Sequence, residues 1–311
     1  IWALVAVLLC GISFLPAFGR GRRPAVSRSA LLNPSYRNQV TAISIGHGGE
    51  LLSLYKKGQV WLCSDGEITA PASQAMVEGL LTHVANLRKM YKISDDNSKL
   101  FSGVDFFTLS FSGTAGKDGP KTPLENVRLY TKIDVFPSAT LSGRILLRGG
   151  PKNTVYETQD DISAYCSVSF SRYGEESLFW GIDSPVSLSY TAAGSRPLRF
   201  SEGDDGFQEL SSGLLSLRHG ALLPLSRLPA SEEAPLAVLV AEAASGRLHT
   251  MFIYEAGNAE DRTYLCRSLL SPSPADSGET AEALASFAVC SEISPWTFSR
   301  LQALFTSRSS K

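Results

Sequence analysis

The alternation of apolar and polar positions changes character several times along the chain. Ile1 to Phe18 carries no charge, and every position except Gly11, Ser13 and Pro16 is apolar. A helix built from it has no polar face for a soluble core's surface. At 1.5 Å per residue it would run for roughly 27 Å, close to the ~30 Å of bilayer hydrocarbon. Residues 1–18 therefore read as a transmembrane anchor or a secretory signal, with Ala17 and Gly19 as small residues at the −3 and −1 positions of a cleavage after Gly19. Residues 19–38, rich in Arg, Ser and Pro, read as a tether.

A strand-rich body follows. Val40 to Ile45, Leu51 to Tyr55 and Gln59 to Cys63 alternate with period two and are separated by the turns His47-Gly48-Gly49 and Lys56-Lys57-Gly58, an antiparallel meander. Pro71 then opens a long helix reaching about Tyr91, because Pro suits the first helical turn. Its stripe is Val77, Leu80, Leu81, Val84, Leu87 and Tyr91. Ser94 to Ser98 reads as a loop. Strands are expected at Val104–Phe111, Val127–Ile133, Arg144–Arg148 and Thr154–Glu157, and a short helix at Asp160–Cys166 with an aspartate cap.

The second half follows the same order weakly. Val186–Tyr190, Pro197–Phe200 and Gly206–Leu210 mirror the first three strands. Thr250–Tyr254, Arg262–Arg267 and Phe287–Cys290 mirror the later ones, and Trp296 to Phe305 mirrors the short helix. The long helix shrinks to Gly220–Leu228, interrupted by Pro224. Two readings stay open: two degenerate tandem copies, or one continuous strand-rich domain. Ser271 to Thr280 and Ser231 to Ala234 read as surface loops, and the tail from Thr306 as frayed. The fold class is α+β, with antiparallel sheets, one long and several short helices, and an N-terminal transmembrane helix. The parts are residues 1–18 (anchor or signal), 19–38 (tether), 39–183 (first unit) and 184–307 (second unit).

Composition narrows the partners. Twenty-nine basic and 30 acidic side chains among 311 residues give a formal charge of −1, which excludes a basic nucleic-acid binder. Hydrophobic residues at 43% are ample for a core. None of Cys10, Cys63, Cys166, Cys266 and Cys290 forms a C-x-x-C pair. If the second half copies the first, Cys266 and Cys290 share a sheet and form a candidate disulfide. His47, His83, His219 and His249 lack metal spacing and read as exposed or hydrogen-bonded structural histidines. Gly113 to Gly119 resembles a phosphate loop only superficially, since Asp118 follows Lys117 where Ser or Thr is required. The acid pairs Asp95-Asp96, Asp160-Asp161 and Asp204-Asp205 read as loop solvation and caps. The aromatics, from Trp61 and Phe106 to Trp180 and Trp296, read as core. No catalytic, cofactor-binding or metal-binding residue is identified.

Val40 to Asp96 resembles the opening of the family catalogued as domain of unknown function 4340. The similarity lies in two alternating strands, a Lys-Lys-Gly turn before the strand of Trp61, the start at Pro71, and a Leu/Val helix carrying Leu80, Leu81 and Leu87. RILLRGGPKNTVYETQDDISAY, with Val155-Tyr156, is similar to its later strands and short helix. Phe101 to Asp105 is a loose match to the Gly-Leu-Asp element usual there. The resemblance implies a single-pass protein of the bacterial inner membrane, its main domain extracytoplasmic, accessory to an ABC-type transport system related to gliding-motility exporters. The arginines after residue 18 alone would place that domain in the cytoplasm. The expected function is a non-catalytic interaction module, bound to the membrane through residues 1–18 and to ABC transporter subunits. An exported envelope hydrolase with a scattered site, and a periplasmic ligand-binding lipoprotein acylated at Cys10, are the alternatives.

Overall fold

The computed structural model describes residues 31–87, 90–95, 103–114, 127–137, 145–149, 153–158, 160–229, 234–257, 262–276, 278, 281 and 288–309. The expected membrane segment 1–18 and the start of the tether lie outside these residues. Among the described residues no helix is long and apolar enough to cross a membrane. The chain is α+β, with antiparallel strands in two sheets and few helices. Two compact units interleave along it: the described residues of Ile1–Val40 with Leu80–Cys166, and Thr41–Gly79 with Ser167–Lys311. The division expected at residue 183 falls inside the second of these.

The first unit holds β5 (Met90–Asp95), β6 (Phe107–Thr114), β7 (Val127–Phe136), β8 (Ile145–Gly149) and β9 (Thr154–Thr158), in the order β6-β7-β8-β9-β5. Alternation turns Leu109, Phe111, Ile133, Val135 and Leu147 into a core where each is fully buried. The opposite face carries a polar row set by the register, Thr108 opposite Asp134 and Asp134 opposite Arg148. Asp134 Oδ1 accepts from Thr108 Oγ1 at 2.8 Å, and its Oδ2 accepts from Arg148 Nε at 2.9 Å and Nη2 at 2.6 Å. The guanidinium lies over the Phe106 and Phe136 rings, 5.8 and 5.6 Å from their centroids, so Asp134 is buried with every oxygen partnered.

The expected tether is packed from Leu31 onward. Leu32 is fully buried, and Asn33 caps a 3₁₀ turn, Pro34–Gln39, by accepting from Ser35 N. Tyr36 stacks on Tyr130 with centroids 4.8 Å apart. The predicted short helix after β9 is a single 3₁₀ turn, Ser163–Tyr165. Asp161 accepts from Ser163 N at 2.8 Å beside it.

The second unit opens with the meander that alternation predicts: β1 (Ala42–His47), β2 (Glu50–Lys57), β3 (Val60–Ser64) and the short β4 (Thr69–Pro71), in sequential antiparallel order. Gly48 and Gly49, at φ 58° and 93°, make the first turn. Pro71 ends β4 and does not open the helix. It pairs with Leu62 in a non-bonded rung, since Ala72 N bonds Trp61 O at the next, so its missing N–H costs the ladder nothing. Helix α1 (Gln74–Ala85) starts three residues later and stops six short of Tyr91, which lies in β5. Its stripe of Val77, Leu80, Leu81 and Val84 is buried as the spacing predicts.

The seven-stranded sheet contains β10 (Pro185–Ala192), β11 (Leu198–Ser201), β12 (Leu222–Leu223), β13 (Ala237–Ala243), β14 (Leu248–Ala256), β15 (Thr263–Ser271) and β16 (Ala288–Ile293), ordered β11-β10-β13-β14-β15-β16-β12. A helical turn α2 (Phe170–Tyr173) precedes it, and α3 (Phe207–Leu215) and α4 (Pro295–Ser309) cover one face. Leu188, Tyr190, Leu239, Met251, Ile253 and Cys266 of the strands pack with Leu210, Leu214, Phe298, Leu301 and Phe305 of the helices. Each fully buried Leu or Phe contributes roughly 1.5–3 kcal/mol. The two helices approach closely at Gly213, where a Cβ would sit 2.8 Å from Leu304 Cδ2.

Several local expectations fail here. Gly206–Leu210 is not a strand: Gly206, at φ 77°, is the N-cap of α3, whose Phe207, Leu210 and Leu214 have helical spacing. Gly220–Leu228 is not a helix but β12 followed by a 3₁₀ turn, Leu225–Arg227. β13 carries no expectation at all. In the predicted flexible insertion, Ser273 is buried and Asp276 accepts from Arg247 Nε and Nη2 at 2.9 and 2.6 Å. The tail stays helical to Ser309. Trp296 is 66% exposed and Phe106 38%, against the expectation that both are core. Arg300 covers the Trp296 ring at 5.2 Å.

One strand permutation recurs. In β5–β9 the earliest strand pairs with the latest, β5 against β9. In β12–β16 it does so again, β12 against β16. Each set follows a hairpin (β1–β2, β10–β11) and a helix (α1, α3).

Candidate functional site

Within the second unit, three short ladders surround a cavity of about 320 Å³. The first joins the end of β4 to the residues after α2: Ser73 N bonds Tyr173 O at 2.7 Å, and Glu175 N bonds Pro71 O at 2.9 Å. The second joins the stretch beyond Glu175 to the residues after α3. Leu178 N bonds Leu217 O at 3.1 Å, His219 N bonds Glu176 O at 3.3 Å, and Ser177 bridges Arg218. The third brings in β12, with Gly220 N on Glu292 O at 2.7 Å and Glu292 N on Ala221 O at 2.8 Å. Gly174 lets the chain pass the Phe170 ring, since a Cβ would meet its Cε1 at 3.0 Å.

Ile68, Phe170 and Leu222 give the cavity apolar walls, and Glu176, Arg218 and His219 its polar ones. The Arg218 guanidinium is anchored through Nη1, which donates to Leu215 O at 3.1 Å at the C-terminal end of α3. Cations suit that end, where carbonyls lack helical partners. His219 Nε2 donates to Glu175 O at 2.6 Å, and Nδ1 lies 3.1 Å from Gly220 O. Both ring nitrogens are thus turned to main-chain oxygens. The imidazole holds the loop through Nε2–H, and in that tautomer its lone-pair nitrogen, Nδ1, faces the Gly220 carbonyl.

The other titratable groups are placed as follows. His83, on α1, meets Tyr165 Oη through Nδ1 at 3.1 Å. His47 ends β1 in its Gly turn. His249, expected to be exposed or hydrogen-bonded, is fully buried on β14 and has no hydrogen-bond partner at either ring nitrogen among the described residues. Phe179 and Trp180 pack on it, with centroids 5.2 and 5.6 Å away. Burial pushes its pKa down to about 3, so the ring is neutral.

The candidate disulfide does not form. Cys266 and Cys290 do lie on neighbouring strands, but the register sets Cys266 opposite Ser291 and Cys290 opposite Arg267. One step of offset puts the two side chains on opposite faces of the sheet, and both are free thiols. Burial raises Cys266 well above the usual thiol range and takes Cys290 up to about 11. Cys63 and Cys166 are pushed up to about 12, by burial first and then by Asp65 and Asp161 respectively. None of these four thiols is an activated nucleophile. Cys290 borders a second cavity of about 300 Å³ with Thr69 and Leu223.

Of the acid pairs, Asp204 and Asp205 border an open cleft of about 670 Å³ with Glu209 and Arg199. There the Asp204 carboxylate accepts from Ser201 N at 2.7 Å, closing off the end of β11. Asp160 and Asp161 flank the turn after β9, and Asp96 lies outside the described residues, as does most of the Gly113 to Gly119 loop. Among the described residues no three His, Cys, Asp or Glu side chains are grouped to hold a metal ion.

Neither Arg218 nor Glu176 stood out in the sequence, because the ladder that joins their neighbourhoods links residues some forty positions apart. Compared with known proteins, the chain matches no family model, no curated protein and no solved structure.

Proposed function

We propose that the protein is a non-catalytic interaction module, held at a membrane by residues 1–18 with its body outside the cytoplasm, accessory to an ABC-type transport system. The observation that carries the non-catalytic part is His219: the histidine lining the cavity of about 320 Å³ has both ring nitrogens turned to main-chain oxygens. A hydrolase would need that base aimed at substrate. The membrane and transporter parts rest on the uncharged run Ile1–Phe18 and on the resemblance to the domain of unknown function 4340 family. We further read the body as two degenerate tandem copies. What supports this is the shared strand permutation, β5 against β9 and β12 against β16.

The test uses the full chain with a C-terminal tag in membranes that express the transport system. The protein should sediment with membranes, resist carbonate, be released by detergent, and carry transporter subunits through cross-linked purification. Recovery in the soluble fraction would overturn the anchor. Purification from membranes without transporter subunits would overturn the accessory role.

A further inference from the structure

We infer that the protein binds an extended peptide by strand addition between the outer edges of β12 and β4, with alternate apolar side chains of the peptide filling the two cavities there. This rests on the reading of the chain as an interaction module and names the chemistry of the segment it takes. Each of the two is the terminal strand of its sheet order, β12 beyond β16 and β4 beyond β3. Ladder phase fixes which main-chain groups they turn outward. Glu292 N bonds Ala221 O, so the next rung, Leu222 with Ser291, is non-bonded, and the Leu222 N–H and C=O point away from β16. By the same count from Ala72 N on Trp61 O, the rung of Thr69 with Ser64 is non-bonded, and Thr69 turns its N–H and C=O away from β3. Pro71 confirms the phase, since its outward carbonyl accepts from Glu175 N. The outward groups of Leu222 and Thr69 have no hydrogen-bond partner among the described residues.

The two cavities follow one another along β12. Leu222 lines the first, of about 320 Å³, and Leu223 the second, of about 300 Å³, while Ile68 at the start of β4 lines both. A donor and an acceptor on each flank are what an extended main chain satisfies with its own alternating groups. Its side chains two apart stand about 7 Å from each other on one face, one for each cavity. Charge sets the ends. Arg218 borders only the first cavity and Glu67 only the second, and neither is in an ion pair among the described residues. Arg218 is held by Nη1 on main-chain carbonyls, which leaves Nε and Nη2 to donate to a carboxylate. Glu176 leaves the opposite face of that ladder and takes no part. Antiparallel addition to β12, the arrangement of every other pair in its sheet, runs the peptide from Glu67 towards Arg218. The segment that fits is basic, then apolar at two alternate positions, then acidic.

The experiment is fluorescence anisotropy of the dye-labelled peptide KVTVE, capped at both termini, titrated with the detergent-solubilised full chain. It should bind saturably with a Kd below about 1 mM. Three altered peptides should each bind about 10-fold more weakly: KVTVE N-methylated at its central residue, which loses a main-chain donor; KSTSE, which loses the apolar pair; and EVTVK, which reverses the charges. Arg218→Glu should weaken KVTVE by a similar factor and restore the affinity with KVTVK. No saturable binding of KVTVE below about 1 mM, N-methylation without effect, or EVTVK binding as tightly as KVTVE overturns the inference. The peptide-side comparisons do not depend on the variant folding. Failure here with transporter subunits still recovered from membranes removes this groove and leaves the docking role standing. Peptide binding by a protein whose membranes yield no transporter subunits keeps the groove and removes only the accessory role.

Discussion

Two buried polar side chains, each on a long central strand, have opposite surroundings. Asp134 on β7 carries a charge and has a partner for each oxygen, Thr108 on one side and Arg148 on the other. His249 on β14 carries none, and neither of its nitrogens has a hydrogen-bond partner among the described residues. The first is a charge the fold can keep inside because the neighbouring strands in register neutralise it. The second is tolerated because the ring can shed its proton and leave only a modest desolvation cost. A buried polar group therefore has two routes to stability, partnership or neutrality, and the two answer differently to mutation and to pH.

Breaking the partnership should have the largest effect. Arg148→Met leaves the Asp134 carboxylate with one hydroxyl in an apolar setting. We expect a loss of about 2–3 kcal/mol in urea unfolding, less than for a fully enclosed pair because Arg148 keeps 22% of its side-chain surface. Asp134→Val added to Arg148→Met should recover all but about 1 kcal/mol. A double variant worse than the single would show that the pair, rather than its imbalance, holds the strands.

Acid should separate the two sites next. The folded His249 pKa of about 3 lies below the ordinary 6.5, so between those values the unfolded chain binds a proton that the folded chain refuses. Stability should thus fall as pH drops below about 6.5, by roughly 1.4 kcal/mol per unit from this group, and level off near pH 3. Urea midpoints of wild type and His249→Leu across pH 4–7.5 would show it: the variant should lack this component. Parallel curves would mean that the ring finds a partner.

At pH 7.5, where the ring is neutral in both states, His249→Leu should still stabilise by about 1 kcal/mol, because it removes two polar atoms without partners. A lower thermal midpoint would instead show that the contacts with Phe179 and Trp180 outweigh that penalty. The smallest effect belongs to Asp276→Asn, expected to cost about 1 kcal/mol, since Arg247 is 31% exposed there. It should also make the Ser271–Asp276 stretch more sensitive to limited proteolysis.

The sequence showed the meander β1–β3 because its alternation and glycine turns are local. It showed the α1 stripe for the same reason. It failed where a distant partner decides the outcome. Tyr91 fits the helical spacing of α1 but sits in β5, because β9 supplies a ladder that no local window contains. Gly206 to Leu210 looks like alternation over five residues, and only Leu214 reveals the helix. β13 is paired on both sides, yet three of its seven residues are alanines, so it stood out little by size or polarity. The cavity was invisible for a related reason: three ladders between distant stretches bring its lining together. The polar row Thr108–Asp134–Arg148 follows from register, which the sequence alone left unset.

The permuted closure of β5 against β9 and of β12 against β16 bears on how the chain is made. Met90 pairs with Thr158 and Leu222 with Ser291, each joining positions almost seventy residues apart. At the ~5–20 residues per second of ribosomal synthesis, the early strand waits roughly 3–14 s for its neighbour. During that interval its backbone donors and acceptors are open to any other nascent strand. A chaperone that shields an early edge until the late strand emerges would therefore raise the yield of native protein.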